Sequence, residues 1–318
     1  MRVMTSTSPS APLAPVDLPS RPLGAGEVRV AVRAIGVNPV DWKMRSGGPL
    51  RFAHRLLGPS GPLVVGVDFA GEVIEVGTGV TGLAPGDRVV GGTNFGRKQY
   101  GSYADEVIVR PDQCAVLPPE VTYEKAACLP VAAVTPWMSL TRLSPVSTTP
   151  DARVLILGAS GGVGLMAIQL SKLLGAHPVG VCSARNVDLV ESYGAVAIDY
   201  GAGDALEAAK EHGPYHLVLQ AVGTDKYPLA KCRSLLAPGG RVTLVVIRPA
   251  DYLAFTFLPS VNTVLGRPDT ATLEPLVAAL AAGKLDPLIA KTYPLEQAES
   301  AHIESQGGKV VGKLLLLP

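Results

Sequence analysis

RVLILGASGGVGLMAIQLSKLLGA (residues 153–176) is the stretch on which the fold turns. An apolar run leads into a glycine-rich turn and then an amphipathic helical pattern, the context that lifts a glycine motif above chance. As a dinucleotide fingerprint it is A-x-G-x-x-G over Ala159, Gly161 and Gly164, with Ser160, Gly162 and Val163 completing the loop. Gly161 lets the backbone approach a pyrophosphate and Gly164 lets the helix pack closely on the strand. The helix N-terminus turns its free N–H groups and partial positive charge to the phosphates.

Downstream, the chain alternates apolar strand and helix: HPVGVCS (177–183), AVAIDY (195–200), HLVLQAVG (216–223) and RVTLVVI (241–247). Near-continuous Val/Leu/Ile strands between helices predict a doubly wound parallel sheet covered on both faces, an α/β domain. Upstream, EVRVAVRAIGV (27–37), two β-rich runs around Gly71 in LVVGVDFAGEVIEVGTGV (63–80), GDRVVGG and YADEVIVR predict a twisted antiparallel or barrel-like domain. TYEKAACLPVAAVTPWMSLTRL (122–143) reads as helical, with Thr122 as N-cap and Pro130 and Pro136 as breaks. The tail carries two helical patterns (271–285 and 294–305) and a closing strand, GKLLLL (312–317), and is expected to fold back on the front domain. The expected division is 1–123 for the β domain, 124–262 for the α/β domain and 263–318 for the return.

Composition narrows the function classes. Of 318 residues, 47% are hydrophobic and 17% charged, which excludes a disordered chain. The formal charge of +1 supplies no global field for nucleic acid or an anionic membrane. No apolar run approaches the roughly 20 residues of a membrane helix, and no secretory signal is visible. Cys114, Cys128, Cys182 and Cys232 stand singly, without CxxC spacing. That argues against a disulfide framework and a four-thiolate zinc site, and it suits a reducing cytosol.

The cofactor type is read at the end of the second α/β strand. NAD sites place Asp or Glu about 20 residues after the loop to hold the ribose hydroxyls. Here Ser183 stands 19 residues after Gly164, followed by Arg185 and Asn186, with no acid before Asp188. A guanidinium grips phosphate through paired hydrogen bonds, so Arg185 is the candidate 2′-phosphate clamp and NADPH is the expected cofactor.

Several segments together resemble the medium-chain dehydrogenase/reductase superfamily, in its zinc-independent quinone oxidoreductase and enone reductase branch. They are GVNPVDWKMRSG (36–47), VGVDFAGEVIEVGTGVTGLAPGDRVVG (65–91), GSYADEVIV (101–109), LPVAAVTPWMSL (129–140), the loop 157–164, SARN with IDY (183–186, 198–200), and GK (312–313). The resemblance implies a Rossmann domain, a groES-like β-barrel substrate domain built from both termini, and a homodimer. It implies Ser183, Arg185 and Tyr200 around the adenosine 2′-phosphate, Gly161, Gly162 and Val163 at the pyrophosphate, and Thr135 on the nicotinamide side. It also places Lys313 at a cofactor phosphate and counts Val246 among the cofactor-binding residues.

Zinc-dependent relatives place Cys after the first long strand and a His-Glu pair in the next segment. Here these positions read Asn38 and Val67-Asp68, and 80–113 contains no cysteine, so no metal is expected. The five histidines are scattered and read as surface or packing residues. Without a Lewis acid, reduction of a quinone or an activated C=C is the accessible chemistry, because the developing enolate needs only hydrogen-bond donors. Asn38 and Lys43 are the candidate donors, Lys43 by similarity to enone reductases. Asp41 positions the turn, and Asn94 and Tyr100 are pocket candidates. Two rivals stand beside this: an enoyl-thioester reductase, with Arg45, Arg51 and Arg55 meeting CoA phosphates, and a catalytically idle NADPH-binding protein.

Overall fold

The computed structural model describes residues 1–248, 251–264, 266 and 268–318, apart from the side chains of Pro49 and Phe255. The chain divides into two units, Met1–Val131 with Arg267–Pro318, and Ala132–Gly266.

In the second unit a six-stranded parallel sheet runs Val196–Asp199, His177–Cys182, Arg153–Leu157, Tyr215–Gln220, Leu236–Leu244, Val261–Thr263. The order reverses at Arg153–Leu157, the switch point beside which doubly wound sheets bind their ligands. Strand residues Leu155, Ile156, Leu157, Leu217, Val218 and Leu219 are all fully buried, as a sheet covered on both faces requires. The short edge strand Val261–Thr263 carries no sequence signal of its own: it pairs in register with Val242–Leu244.

The first unit is built on the long strand Val28–Val37, which alternates toward a core of Val28, Val30, Ile35, Phe69, Val73 and Val107. On one side it pairs antiparallel with Asp68–Val76. Elsewhere Val28–Ala31 pairs with Glu106–Val109, and Ile35–Val37 pairs with the C-terminal strand Lys313–Leu317. The tail thus returns to the front unit through backbone hydrogen bonds, as its pattern predicts. Asp68–Val76 is one strand, where two runs about Gly71 were expected. Gly71 continues the strand because it faces Val32 beside register shifts in the partner, and a Cβ there would lie 2.1 Å from the Ala31 carbonyl.

The stretch 122–143 forms two short helices, Tyr123–Ala126 and Val134–Thr141. The Thr122 hydroxyl caps the first by accepting from the Lys125 N–H. Pro136 is tolerated in the first turn of the second, where its missing N–H has no helical partner to lose. Tyr123–Ala126 packs on the front sheet, with the Ala127 carbonyl so near Gly36 that a Cβ there would stand 2.5 Å away. For that reason the first unit runs to Val131 rather than to residue 123, and it resumes at Arg267 rather than at residue 263. Helices Pro39–Ser46 and Gly48–Leu57, unforeseen in the sequence, follow the long strand.

Candidate functional site

In the second unit the strand Arg153–Leu157 delivers the chain to Gly158, whose φ of +96° turns it toward helix Gly162–Leu173. Gly158 and Ala159 N–H both donate to the Val181 carbonyl, at 3.2 and 2.9 Å, which ties the loop to the neighbouring strand. The glycines divide by what surrounds them. A Cβ on Gly164 would meet the Gly158 carbonyl at 2.3 Å, so helix and loop pack only because Gly164 is bare. A Cβ on Gly161 would find nothing nearer than 3.6 Å. The protein does not need the bareness of Gly161, whereas a backbone that must receive a pyrophosphate does.

The 2′-phosphate candidates converge. Ser183 precedes a short 3-10 turn, Ala184–Asn186, and the buried Asn186 amide donates to the Ser160 and Ser183 hydroxyls at 3.0 and 3.2 Å. Asn186 therefore locks the phosphate loop to the end of the second strand. Arg185 is exposed beside it. The Tyr200 N–H donates to the Cys182 carbonyl at 3.0 Å, which brings the ring, 43% exposed, to the same sheet edge. Thr135 is buried on helix Val134–Thr141 and Val246 is half-buried after strand Leu236–Leu244.

In the first unit Asn38 lies on a buried polar chain with Lys313 and Asp68. The Lys313 ammonium donates to the Val37 carbonyl at 3.0 Å, Asn38 Oδ1 at 2.6 Å and Asp68 Oδ2 at 3.2 Å. The Asn38 amide in turn donates to Asp68 Oδ2 at 2.9 Å and to the Gly36 carbonyl at 3.2 Å. Two expectations change. Lys313, only 5% exposed, has all three N–H directions engaged and is an internal counter-ion, not the ligand of a cofactor phosphate. Asn38 has its amide hydrogens and its oxygen engaged, so it positions the turn and has no donor left for an oxyanion. Gly36 makes this possible, since a Cβ there would stand 2.5 Å from Asp68 Oδ2.

Asp41, fully buried in the first turn of helix Pro39–Ser46, accepts from the Asn38 N–H at 2.7 Å and from the Tyr103 hydroxyl at 3.3 Å. Tyr103 in turn lies 3.0 Å from His302 Nε2. Burial, reinforced by the Asp68 charge, pushes the Asp41 carboxyl up to about 8. Burial drives His302 down to about 4, so its imidazole is neutral. Burial likewise raises Asp68, against the pull of the Lys313 ammonium. Tyr103 and His302 carry no sequence signal as partners, being 199 residues apart.

Lys43 differs from these. It is half-buried on the same helix, its ammonium 5.5 Å from the Trp42 ring centroid, and burial lowers its pKa. No carboxylate lies within ion-pair distance of it among the described residues. Of the arginines read as CoA contacts, Arg45 is buried and paired with Glu299, Arg51 donates to the Arg45 carbonyl, and Arg55 is exposed. Asn94 caps the turn Phe95–Arg97 by accepting from the Gly96 N–H, and the Tyr100 hydroxyl clasps the Ser60 carbonyl at 2.8 Å. Both hold loops of the first unit in place.

Comparison with known proteins agrees with this architecture. Residues 24–119 match the alcohol dehydrogenase GroES-like domain and residues 193–316 match the zinc-binding dehydrogenase domain. The chain is 31% identical over 316 residues to a chloroplast envelope quinone oxidoreductase homolog of Arabidopsis thaliana, covering 95% of this chain and 93% of the relative. Its structure superposes on the quinone oxidoreductase from Coxiella burnetii with a TM-score of 0.87 and 28% identity, covering 100% and 98% of the two chains. Against the Escherichia coli quinone oxidoreductase complexed with NADPH the TM-score is 0.80 at 26% identity, covering 100% and 99%.

A Rossmann unit joined to a groES-like unit made from both chain ends defines a dehydrogenase/reductase class of oxidoreductase. The chain belongs to the medium-chain dehydrogenase/reductase superfamily, in its quinone oxidoreductase branch. The second matched domain takes its name from zinc, but the residues present do not fit that ion. Asn38 gives its amide hydrogens to Asp68 and Gly36 and accepts from the Lys313 ammonium, Val67 offers no ligand, and Asp68, held at Oδ2 by an amide and an ammonium, leaves a single carboxylate where zinc takes several nitrogen and sulfur ligands.

Proposed function

We propose that this oxidoreductase is an NADPH-dependent, zinc-independent reductase of quinones or α,β-unsaturated carbonyls, acting as a cytosolic homodimer. The observation that carries the reading is Lys43, a partly desolvated ammonium with no neutralising carboxylate among the described residues, on the helix held by Asn38 and Asp41. Bound NADPH supplies a hydride. The chain's residues hold it: the Gly161–Gly164 backbone at the pyrophosphate, Ser183, Arg185 and Tyr200 at the 2′-phosphate, Thr135 toward the nicotinamide, and Val246 as a further cofactor contact. Lys43 places positive charge at the carbonyl oxygen that gains electron density, and it can return a proton to the enolate or the hydroquinone anion. A lowered pKa suits an ammonium to that transfer. The four cysteines are buried and unpaired, in keeping with a reducing compartment, and no described helix is long and apolar enough to cross a membrane.

The test is NADPH oxidation followed by the loss of reduced-nicotinamide absorbance, with a quinone, a short enone and an enoyl-CoA offered separately. Turnover of the quinone or enone is expected, and Lys43→Ala should lower kcat/KM by about 10-fold or more. Turnover of enoyl-CoA alone would move the assignment to a thioester reductase. Oxidation with none of the three would leave a binding protein.

A further inference from the structure

We infer that Lys226 is a specificity residue for the cofactor, adding a second cation to the 2′-phosphate site; this rests on the NADPH reading above. The Lys226 ammonium stands 3.8 Å from the centroid of the Tyr200 ring, and the two residues line one open cleft with Asp204, Tyr227 and Lys231. Tyr200 is bonded through its N–H to the Cys182 carbonyl, the residue before Ser183, so the cleft adjoins the edge that carries Ser183 and Arg185.

The two lysines of the cleft are not equivalent. Lys231 is spent on Asp204 at 3.0 Å. Lys226 is exposed, and its contacts are the faces of Tyr200 and, at 5.8 Å, Tyr227; among the described residues no carboxylate pairs with it. An ammonium resting on an aromatic face is held in place yet keeps its full charge.

Its backbone is fixed as well. The buried Gln220 carboxamide accepts from the Val222 and Gly223 N–H groups at 3.0 and 2.7 Å, and the Lys226 N–H donates to the Gly223 carbonyl. Asp225, the neighbouring acid, is neutralised by Arg248 at 2.6 Å. The loop after strand Tyr215–Gln220 therefore presents one uncompensated positive charge against Tyr200. A phosphate monoester dianion is the group such a charge recognises, whereas the free ribose hydroxyl of NADH gives it nothing to bind.

The experiment measures dissociation constants of NADPH and NADH, and inhibition by adenosine 2′,5′-bisphosphate, for the full-length enzyme and for Lys226→Gln, Lys231→Gln and Arg185→Gln. Lys226→Gln should raise the NADPH/NADH ratio of dissociation constants about 5-fold and weaken the bisphosphate by a similar factor. Lys231→Gln should move the ratio by less than about 2-fold, because that charge is already paired. If Arg185→Gln lowers the preference for NADPH while Lys226→Gln leaves the ratio in place, the inference about Lys226 falls and the NADPH reading stands. An equal effect of Lys231→Gln would likewise overturn it, by showing a general loss of charge. If the unmutated enzyme prefers NADH and Arg185→Gln changes nothing, the NADPH reading itself falls.

Discussion

Replacing Lys313 by Met asks whether the ammonium is internal scaffolding or a cofactor ligand. The side chain is 5% exposed and Asp68 is 0% exposed, so the substitution strands a buried carboxylate that keeps only neutral donors, the Asn38 amide and the Val131 backbone. Three hydrogen bonds from a charged donor are lost, nominally about 1.5–3 kcal/mol each, but desolvation of the ammonium is no longer incurred. Removing one partner of a buried pair costs about 3–5 kcal/mol in total, or roughly 10 °C in Tm for a unit of this size. Met matches the length of the lysine stem, so little of the loss is cavity. The two tryptophans, Trp42 and Trp137, fall in different units, so in a Trp137→Phe background the fluorescence of Trp42 follows the first unit alone through urea and thermal unfolding. Adding Asp68→Asn to Lys313→Met should restore part of the stability, since it removes the stranded charge. A loss below about 1 kcal/mol, accompanied by markedly weaker NADPH binding, would refute the internal role and return Lys313 to a cofactor phosphate.

Other outcomes follow from the same geometry. Gly164→Ala should unfold or severely destabilise the second unit, because its Cβ would overlap the Gly158 carbonyl, whereas Gly161→Ala should keep the fold and lose NADPH affinity by about 10-fold. Equal folding losses in circular dichroism melts would contradict that division. Asp41, raised to about 8, binds a proton in the folded chain that the unfolded chain releases near the ordinary carboxylate value. Stability from this group is therefore full at low pH and lost as pH climbs toward 8. Asp41→Asn should gain on the parent as pH rises from 5 to 8, and a constant difference would count against it. His302 works in the opposite direction: lowered to about 4, it disfavours the fold as pH drops from its ordinary value of 6.5 toward 4, and His302→Gln should flatten that acid limb of urea-unfolding stability. Elemental analysis of active enzyme should find zinc well below one ion per chain, and stoichiometric zinc would overturn the reading of Asn38, Val67 and Asp68.

Much of this protein was legible in its residues. The strand, glycine turn and helix of 153–176 reveal a Rossmann unit because hydrophobic periodicity and glycine placement are local properties, set by backbone sterics over a few residues. The returning tail was readable for a similar reason, since GKLLLL is an apolar strand with no partner nearby in sequence. The same locality brought Ser183, Arg185 and Asn186 to notice.

Tertiary structure decided what the charged groups do. Lys43 and Lys313 are both lysines beside a glycine-bearing turn or strand, and nothing within ten residues of either says which one is free. The difference arises because Lys313 enters the first unit against Val37, Asn38 and Asp68, hundreds of residues away in sequence, where its donors meet three acceptors. The Asp41–Tyr103–His302 chain and the Lys226–Tyr200 pair are likewise products of packing between remote segments. Charge and hydrogen-bond capacity are written in each residue; whether a neighbour consumes them depends on burial and distance, which only the folded chain defines.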